Sequence, residues 1–330
     1  MSSEGESGLI ERYFRHLGSV RTDVVLGVGD DAALLRAAPG MDLAQTTDSL
    51  IEGVHFPAGA PARSLGHRAL AVNLSDLAAM GATPCWALLS LSLPTVDELW
   101  LGEFATGFGL LARSHNVALV GGNLSRGALS ITVQLSGMVP TGTALRRSGA
   151  LPGDELWVSG TLGDAATGLQ ICSATGATST STTSIARAAD REWLRARFEY
   201  PTPRVALGNA LRGIASSCMD LSDGLLADVP RLAQASGCGA TIAVDRLPVS
   251  AALRAVAQES SWQQALQGGE DYELCFTAAA AQAGRLQQLA AGLSLPLTRC
   301  GALQAGTAVE LRSGSSVIQF SQSPFDHFKS

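Results

Sequence analysis

A chain of 330 residues exceeds one ordinary core and predicts about two domains. Hydrophobic residues make up 46% against 16% charged, which describes a globular protein and excludes a disordered one. The net charge of -6 argues against nucleic acid as a main partner, which would need a basic face.

The first eight residues are polar and acidic, without the basic and apolar regions of a signal peptide. The longest apolar stretch, residues 86–93, is far short of a membrane span. Cys85, Cys172, Cys218, Cys238, Cys275 and Cys300 are scattered beside apolar residues and read as buried thiols of a cytoplasmic protein. The only lysine is Lys329, so neither a P-loop nor a protein-kinase strand lysine is possible. A phosphate handled by this chain must be neutralised by metal ions, arginines and backbone N–H groups.

In chain order, Ser7 reads as the cap of a helix carrying Ile10, Tyr13, Phe14 and Leu17. Residues 24–28 and 43–47 read as strands with acidic ends, and Gly27-Val28-Gly29-Asp30-Asp31 lies between the apolar runs 24–26 and 32–35. A helix over 61–80 places Leu65, Ala69, Val72, Asp76 and Ala79 on one face, so Asp76 is a carboxylate on an apolar stripe that demands a partner. A strand over 86–93, a helix over 96–114 and a strand over 117–120 follow, the last ending in Gly121-Gly122-Asn123. Another strand covers 129–139, and the turn-rich run from Arg146 to Asp154 marks the boundary between domains 1–148 and 149–330.

Beyond it come a strand (155–159), a helix (164–172) and a low-complexity insertion of Ser, Thr, Ala and Gly (173–184). Helices over 188–198 and 204–216 lead to Asp220-Leu221-Ser222-Asp223-Gly224. A helix (225–235), a strand (240–244) and a helix (250–257) precede Gly268-Gly269-Glu270-Asp271-Tyr272-Glu273. A strand (274–277), a helix of Ala and Gln and three short strands end the chain. Strands and helices alternate in both halves, so the class is mixed α/β in two domains.

The acidic clusters share a format, a carboxylate beside Gly, Ser or Thr at the end of a strand or on a helix. They are Asp30/Asp31, Thr46-Thr47-Asp48, Asp76, Asp220/Ser222/Asp223 and Glu270/Asp271, with Asn123 as an amide member. Any one of them alone reads as a cap or turn. Together they suggest a shared site, and their oxygen-only donors suit Mg²⁺ rather than zinc. The Gly-Gly pairs could approach phosphates through backbone N–H groups, though each alone is more often a turn. Arg147 could hold a phosphate bidentately or be a plain surface arginine. His55 reads singly as a loop residue, and Phe325-Asp326-His327-Phe328 could cap a core or stack on a flat ligand.

Assembled in this order, the motifs resemble the thiamine-monophosphate kinase family, within the superfamily of aminoimidazole ribonucleotide synthetase and selenophosphate synthetase. The resemblance runs through Gly29-Asp30-Asp31, Thr47-Asp48-Ser49-Leu50, Gly53-Val54-His55-Phe56 and Asn73-Leu74-Ser75-Asp76-Leu77-Ala78-Ala79-Met80-Gly81-Ala82. It continues through Arg147-Ser148-Gly149-Ala150, Asp220–Gly224, Gly268–Leu274 and Asp326-His327-Phe328. It implies the two-domain aminoimidazole-ribonucleotide-synthetase-like architecture and a homodimer whose N-terminal sheets pair. It also implies ATP-dependent phosphorylation of thiamine monophosphate to thiamine diphosphate, the last step in making that cofactor.

By matching position, the resemblance implies several Mg²⁺ ions on Asp31, Thr46, Thr47, Asp48, Asp76, Asn123, Asp220 and Asp223. It implies ATP against Gly122, Asn123, Arg147 and Ser222, and thiamine monophosphate against His55, Glu270 and Phe325. Asn123 stands where many members have Asp, and Phe325 where Tyr is frequent. A selenophosphate synthetase would want a reactive Cys and a Lys near the N-terminus, which this chain lacks. The alternatives are an aminoimidazole-ribonucleotide-synthetase-like enzyme and a non-catalytic Mg-nucleotide-binding relative.

Overall fold

The computed structural model describes residues 5–173 and 185–319. Most of the 173–184 insertion and the Phe325–Phe328 cluster lie outside them. By its contacts the chain divides into two compact units. One comprises the chain up to Leu77 with Ala82–Ala144, the other Ala78–Gly81 with the chain from Leu145 on. Each is mixed α/β.

The first unit opens with α1 (Glu6–Tyr13) and a small antiparallel hairpin, β1 (Val24–Leu26) with β2 (Leu34–Leu35). Gly27–Asp31 occupies the connection of that hairpin. The main sheet is ordered β3 (Met41–Ile51), β6 (Ser130–Pro140), β4 (Thr83–Leu93), β5 (Ala118–Arg126). Strand β3 is longer than its sequence suggests because it pairs with β6 throughout, from Met41 opposite Pro140 to Ile51 opposite Ser130. Strands β4 and β5 run parallel, joined by α3 (Glu98–Ser114), which Asp97 caps by accepting from the N–H groups of Leu99 and Trp100.

The other helix, α2 (Ala62–Ala79), carries more than one apolar face. Leu65, Leu70, Leu74 and Leu77 are buried, and so are the polar Asn73 and Ser75 between them. Sheet packs on one side, where Leu77 meets Gly137 of β6. On the α3 side, a Cβ at Gly66 would collide with the Phe104 carbonyl, and one at Gly107 with that of Arg63. The two helices therefore touch backbone to backbone, and a helix surrounded in this way shows little one-sided periodicity.

In the second unit the sheet order is β13 (Ser316–Ile318), β12 (Val309–Ser313), β9 (Gly239–Ala243), β11 (Leu297–Gln304), β7 (Glu155–Ser159), β10 (Leu274–Ala278), β8 (Ser217–Asp220). All neighbours are antiparallel except β12 with β9. Its helices are α4 (Asp164–Ser173), α5 (Ile185–Glu199), α6 (Val205–Leu211), α7 (Leu225–Ala235), α8 (Ala251–Ala257), α9 (Ser261–Gln267) and α10 (Ala283–Leu293). Leu225, Val229 and Leu232 of α7 share the core with Leu156, Val158, Ile242 and Cys275 of the sheet. Helix α9 has no counterpart among the elements expected from the sequence. Helix α6 stops at Leu211, short of the expected 216, and Gly213 follows with φ +70.

Candidate active site

Side chains alternate along β3, and that alternation sorts the acidic residues of the first unit. Thr46, Asp48 and Leu50 project toward the side where α2 packs, while Gln45, Thr47 and Ser49 project to the other. The Thr46 hydroxyl donates to Asp76 of α2, so the carboxylate stranded on an apolar helix finds its partner on the strand. The Thr47 hydroxyl lies on the opposite face and donates to the Val133 carbonyl at 3.1 Å.

On that opposite face, a cavity of about 850 Å³ lies between the sheet and the N-terminal segment. The hairpin connection contributes Gly29, Asp30 and Asp31, and the sheet contributes Gln45, Gln134, Gly121, Gly122 and Asn123. The two aspartates are not equivalent. Asp30 accepts the N–H of Asp31 at 2.8 Å and so caps the turn, while the Asp31 residue is exposed beside the cavity. The Arg15 guanidinium, itself paired with Glu11 at 2.5 Å, approaches Gly29 from the side.

Gly121-Gly122-Asn123 is not the end of a strand, as expected, but its interior. Pairing of β5 with β4 continues from Trp86 opposite Ala118 to Leu93 opposite Arg126, with a bulge after Ala87. Gly122 sits at φ +147, and a Cβ there would collide with the Leu89 carbonyl oxygen. Only glycine fits. Asn123 lies opposite Ser90, on the cavity side of the sheet.

His55 follows β3, and its Nδ1 accepts the Ile51 N–H at 3.1 Å, which leaves the ring proton on Nε2.

In the second unit the two glycine-acid motifs are bonded to each other. Glu270 N–H donates to Ser222 O at 2.8 Å, Tyr272 N–H to Leu221 O at 2.9 Å, and Leu221 N–H to Glu273 O at 2.9 Å. Asp220, buried, ends β8 opposite Leu274. Asp223 already faces a cation: Arg231 binds its carboxylate and also that of Asp228 at 2.8 Å. Asp228 in turn accepts the Asp223 N–H at 3.1 Å. Burial, then the Asp223 charge, push the Asp228 carboxyl up to about 6. Sequence reasoning passed over Asp228 and Arg231, although their spacing of three on α7 was the available signal. The Arg147 residue is exposed, and its carbonyl accepts from the Ser236 hydroxyl at 3.2 Å. Phe325 lies outside the described residues.

Behind these motifs lies a buried polar cluster the sequence did not reveal. Glu273 is fully buried and accepts from Arg204 Nε at 2.7 Å, Arg197 at 2.9 Å and the Ser159 hydroxyl at 2.5 Å. Burial would push its carboxyl up, but Arg204 and Arg197 outweigh burial and hold it below the usual range. Asp271 accepts two backbone N–H groups where α4 begins, Gly163 at 2.6 Å and Ala165 at 3.1 Å. Full burial outweighs those donors and raises Asp271 to about 8.

Asp271 makes stability depend on pH. Its carboxyl holds a proton more tightly folded than unfolded, so its contribution is fully present below about pH 4 and is lost as pH climbs toward about 8. In urea unfolding at pH 5 and pH 8, Asp271→Asn is expected to narrow the difference seen for the unaltered chain.

Among the described residues, no three His, Cys, Asp or Glu side chains form a group that could hold a metal ion. What the first unit offers is the Thr46–Asp76 pair with Asp48, and Asp31 with Asn123. Such oxygen donors in ones and twos fit Mg²⁺, which keeps several waters and completes its shell with substrate phosphates.

The two units define an AIR synthase related protein. Family models of that description match residues 29–139 for the N-terminal domain and 151–313 for the C-terminal domain. The chain is 43% identical over 326 residues to a thiamine-monophosphate kinase of Salmonella typhimurium, covering 98% of each. It is 44% identical over 327 residues to that of Escherichia coli strain K12, again covering 98% of each. The crystal structure of thiamine-monophosphate kinase from Stenotrophomonas maltophilia matches with a TM-score of 0.83 and 48% identity, over 90% of this chain and 93% of that one. A structure of AaThiL complexed with AMPPCP and TMP matches with a TM-score of 0.76 and 31% identity, over 91% and 92%. The chain belongs to the thiamine-monophosphate kinase family.

Proposed function

We infer that the chain catalyses ATP-dependent phosphorylation of thiamine monophosphate to thiamine diphosphate, by direct in-line transfer of the γ-phosphoryl group. The observation that carries this reading is its end-to-end similarity to thiamine-monophosphate kinases, one of which is described in complex with AMPPCP and TMP.

The accepting oxygen belongs to a phosphate and is already anionic, so no side chain has to remove a proton from it. The obstacle is repulsion between two polyanions in a chain whose only lysine is Lys329. Bound Mg²⁺ would lower that repulsion and polarise the transferred group. In the first unit Asp31, Thr46, Asp48, Asp76 and Asn123 would hold the ions, and in the second Asp220 and Asp223. Asp223 would exchange Arg231 for a metal ion.

For the nucleotide, Gly122 would offer a backbone N–H that no side chain obstructs, and Asn123 its amide. Arg147 and Ser222 are the contacts proposed from the second unit. His55 would present Nε2–H to the substrate. Glu270 suits the cationic, amine-bearing rings of thiamine rather than its phosphate, which a carboxylate repels.

The same reading includes a homodimer in which first-unit sheets pair, and Leu43, exposed on β3, supports it. It also places the protein in the cytoplasm, supported by six cysteines without a disulfide. No described helix is long and apolar enough to cross a membrane.

The test is ADP release with thiamine monophosphate, with thiamine and with no acceptor, in the presence of Mg²⁺. Release that requires the monophosphate is expected. Nucleotide binding without release, or release with every acceptor alike, would overturn the reading.

A further inference from the structure

The segment from Gly268 to Glu273 has an unusual backbone. Glu270 stands at φ +72 and Tyr272 at φ +51, two left-handed residues separated by one, and neither is glycine. Such positions cost energy for a side chain and persist where the surroundings fix them. Here they are fixed from both sides: by the bonds of Glu270 and Tyr272 N–H to Ser222 and Leu221, and by Asp271, whose carboxyl is anchored on Gly163 and Ala165. Among the described residues the other non-glycine positions at positive φ, Asn116, Gln258 and Ser294, each lie where a helix ends, which Glu270 and Tyr272 do not. Keeping Glu and Tyr here means that their side chains have a use.

That use is visible in the geometry. The Tyr272 hydroxyl donates to Glu270 Oε2 at 2.8 Å. The tyrosine ring is buried to 9% exposure, while Glu270 is only half-buried. A rigid, buried phenol thus holds a more exposed carboxylate through a charge-assisted hydrogen bond. The buried Asp271 and the Arg-bound Glu273 lock the segment that carries the pair.

We propose that Tyr272 is a positioning residue for Glu270, orienting its carboxylate toward the cationic, amine-bearing part of thiamine monophosphate. This rests on Glu270 being a substrate contact. Tyr272 touches neither phosphate nor nucleotide in this role, so its effect falls on substrate affinity and not on the rate of transfer.

The experiment is steady-state kinetics of Tyr272→Phe, Glu270→Ala and the double variant, with a thermal melt of each. Tyr272→Phe keeps the buried ring and removes one O–H. It is expected to raise KM for thiamine monophosphate about tenfold, the scale of one hydrogen bond to a charged group. Its kcat, its KM for ATP and its melting temperature are expected to stay near those of the unaltered chain.

In the Glu270→Ala background the same change is expected to add nothing. An unchanged KM in Tyr272→Phe, or an equal rise with and without Glu270, would overturn the proposal. If Glu270→Ala itself leaves KM unchanged, the substrate role of Glu270 fails first and takes the proposal with it. Should Glu270→Ala not fold, Glu270→Gln replaces it, keeping an acceptor for the phenol but losing the charge. Tyr272→Phe is then expected to raise KM less there than in the unaltered chain, and an equal rise would overturn the proposal.

Discussion

Asp76→Ala is expected to lower kcat about a thousandfold at saturating Mg²⁺ and ATP, with the fold intact by circular dichroism. Asp76 is a carboxylate in a helix whose neighbours Leu74 and Leu77 are buried, and it accepts from the Thr46 hydroxyl. As a Mg²⁺ ligand it would supply several kcal/mol of transition-state stabilisation, and each 1.36 kcal/mol is tenfold in rate. Asp30→Ala makes the comparison, because Asp30 caps its own turn through the Asp31 N–H. A helix cap is worth about 1 kcal/mol at a comparable site, so its loss should cost rate far less. Equal effects of the two changes would contradict the assignment of Asp76.

Glu273→Ala is expected to damage folding rather than chemistry. Three donors converge on this buried carboxylate, two of them the guanidinium groups of Arg197 and Arg204. Breaking such a cluster from the acidic side takes the bound carboxylate away from two largely buried cations, a loss of about 3 kcal/mol. For a protein of marginal stability that is a large share of the whole. Urea unfolding should show the midpoint moving sharply down. Glu273→Gln should lie between, since it keeps an acceptor and loses the charge. Because the arginines hold the Glu273 carboxyl below its usual range, the stabilisation it supplies is present at neutral pH and is lost in acid.

Local patterns in the sequence were enough for the mixed α/β class and for most elements, since the alternation of short apolar runs with helical periodicity depends on neighbours alone. Asp76 stood out for the same reason, as one carboxylate recurring with leucines and alanines at helical spacing. Features that depend on distant pairing were not legible. That β5 continues through Gly121-Gly122-Asn123 follows from its register with β4 and the bulge after Ala87, and neither is written in the glycines themselves. The face to which Thr47 points is a matter of parity along β3, and a strand taken to end at residue 47 hid it. Arg197 and Glu273 are 76 positions apart, and the arginine sits in a helix whose polar composition reads as solvated. The Asp223–Arg231 pair is a different case, eight residues apart and local, and was missed because the motif drew attention to its acids and not to the helix that follows.

The glycine pair in β5 has a bearing on how this pocket could diversify. Where Gly121 and Gly122 line it, the surface is main chain pressed against Leu89, and any larger residue at Gly122 meets that carbonyl before it meets a ligand. That wall is closed to redecoration by single replacements, so descendants would inherit its shape almost unchanged. The facing wall is built differently. Ala32, Ala33 and Leu35 of the hairpin segment present ordinary side chains to the same space, and they can be exchanged without breaking a strand. Changes in the shape of this cavity would accumulate on the hairpin side.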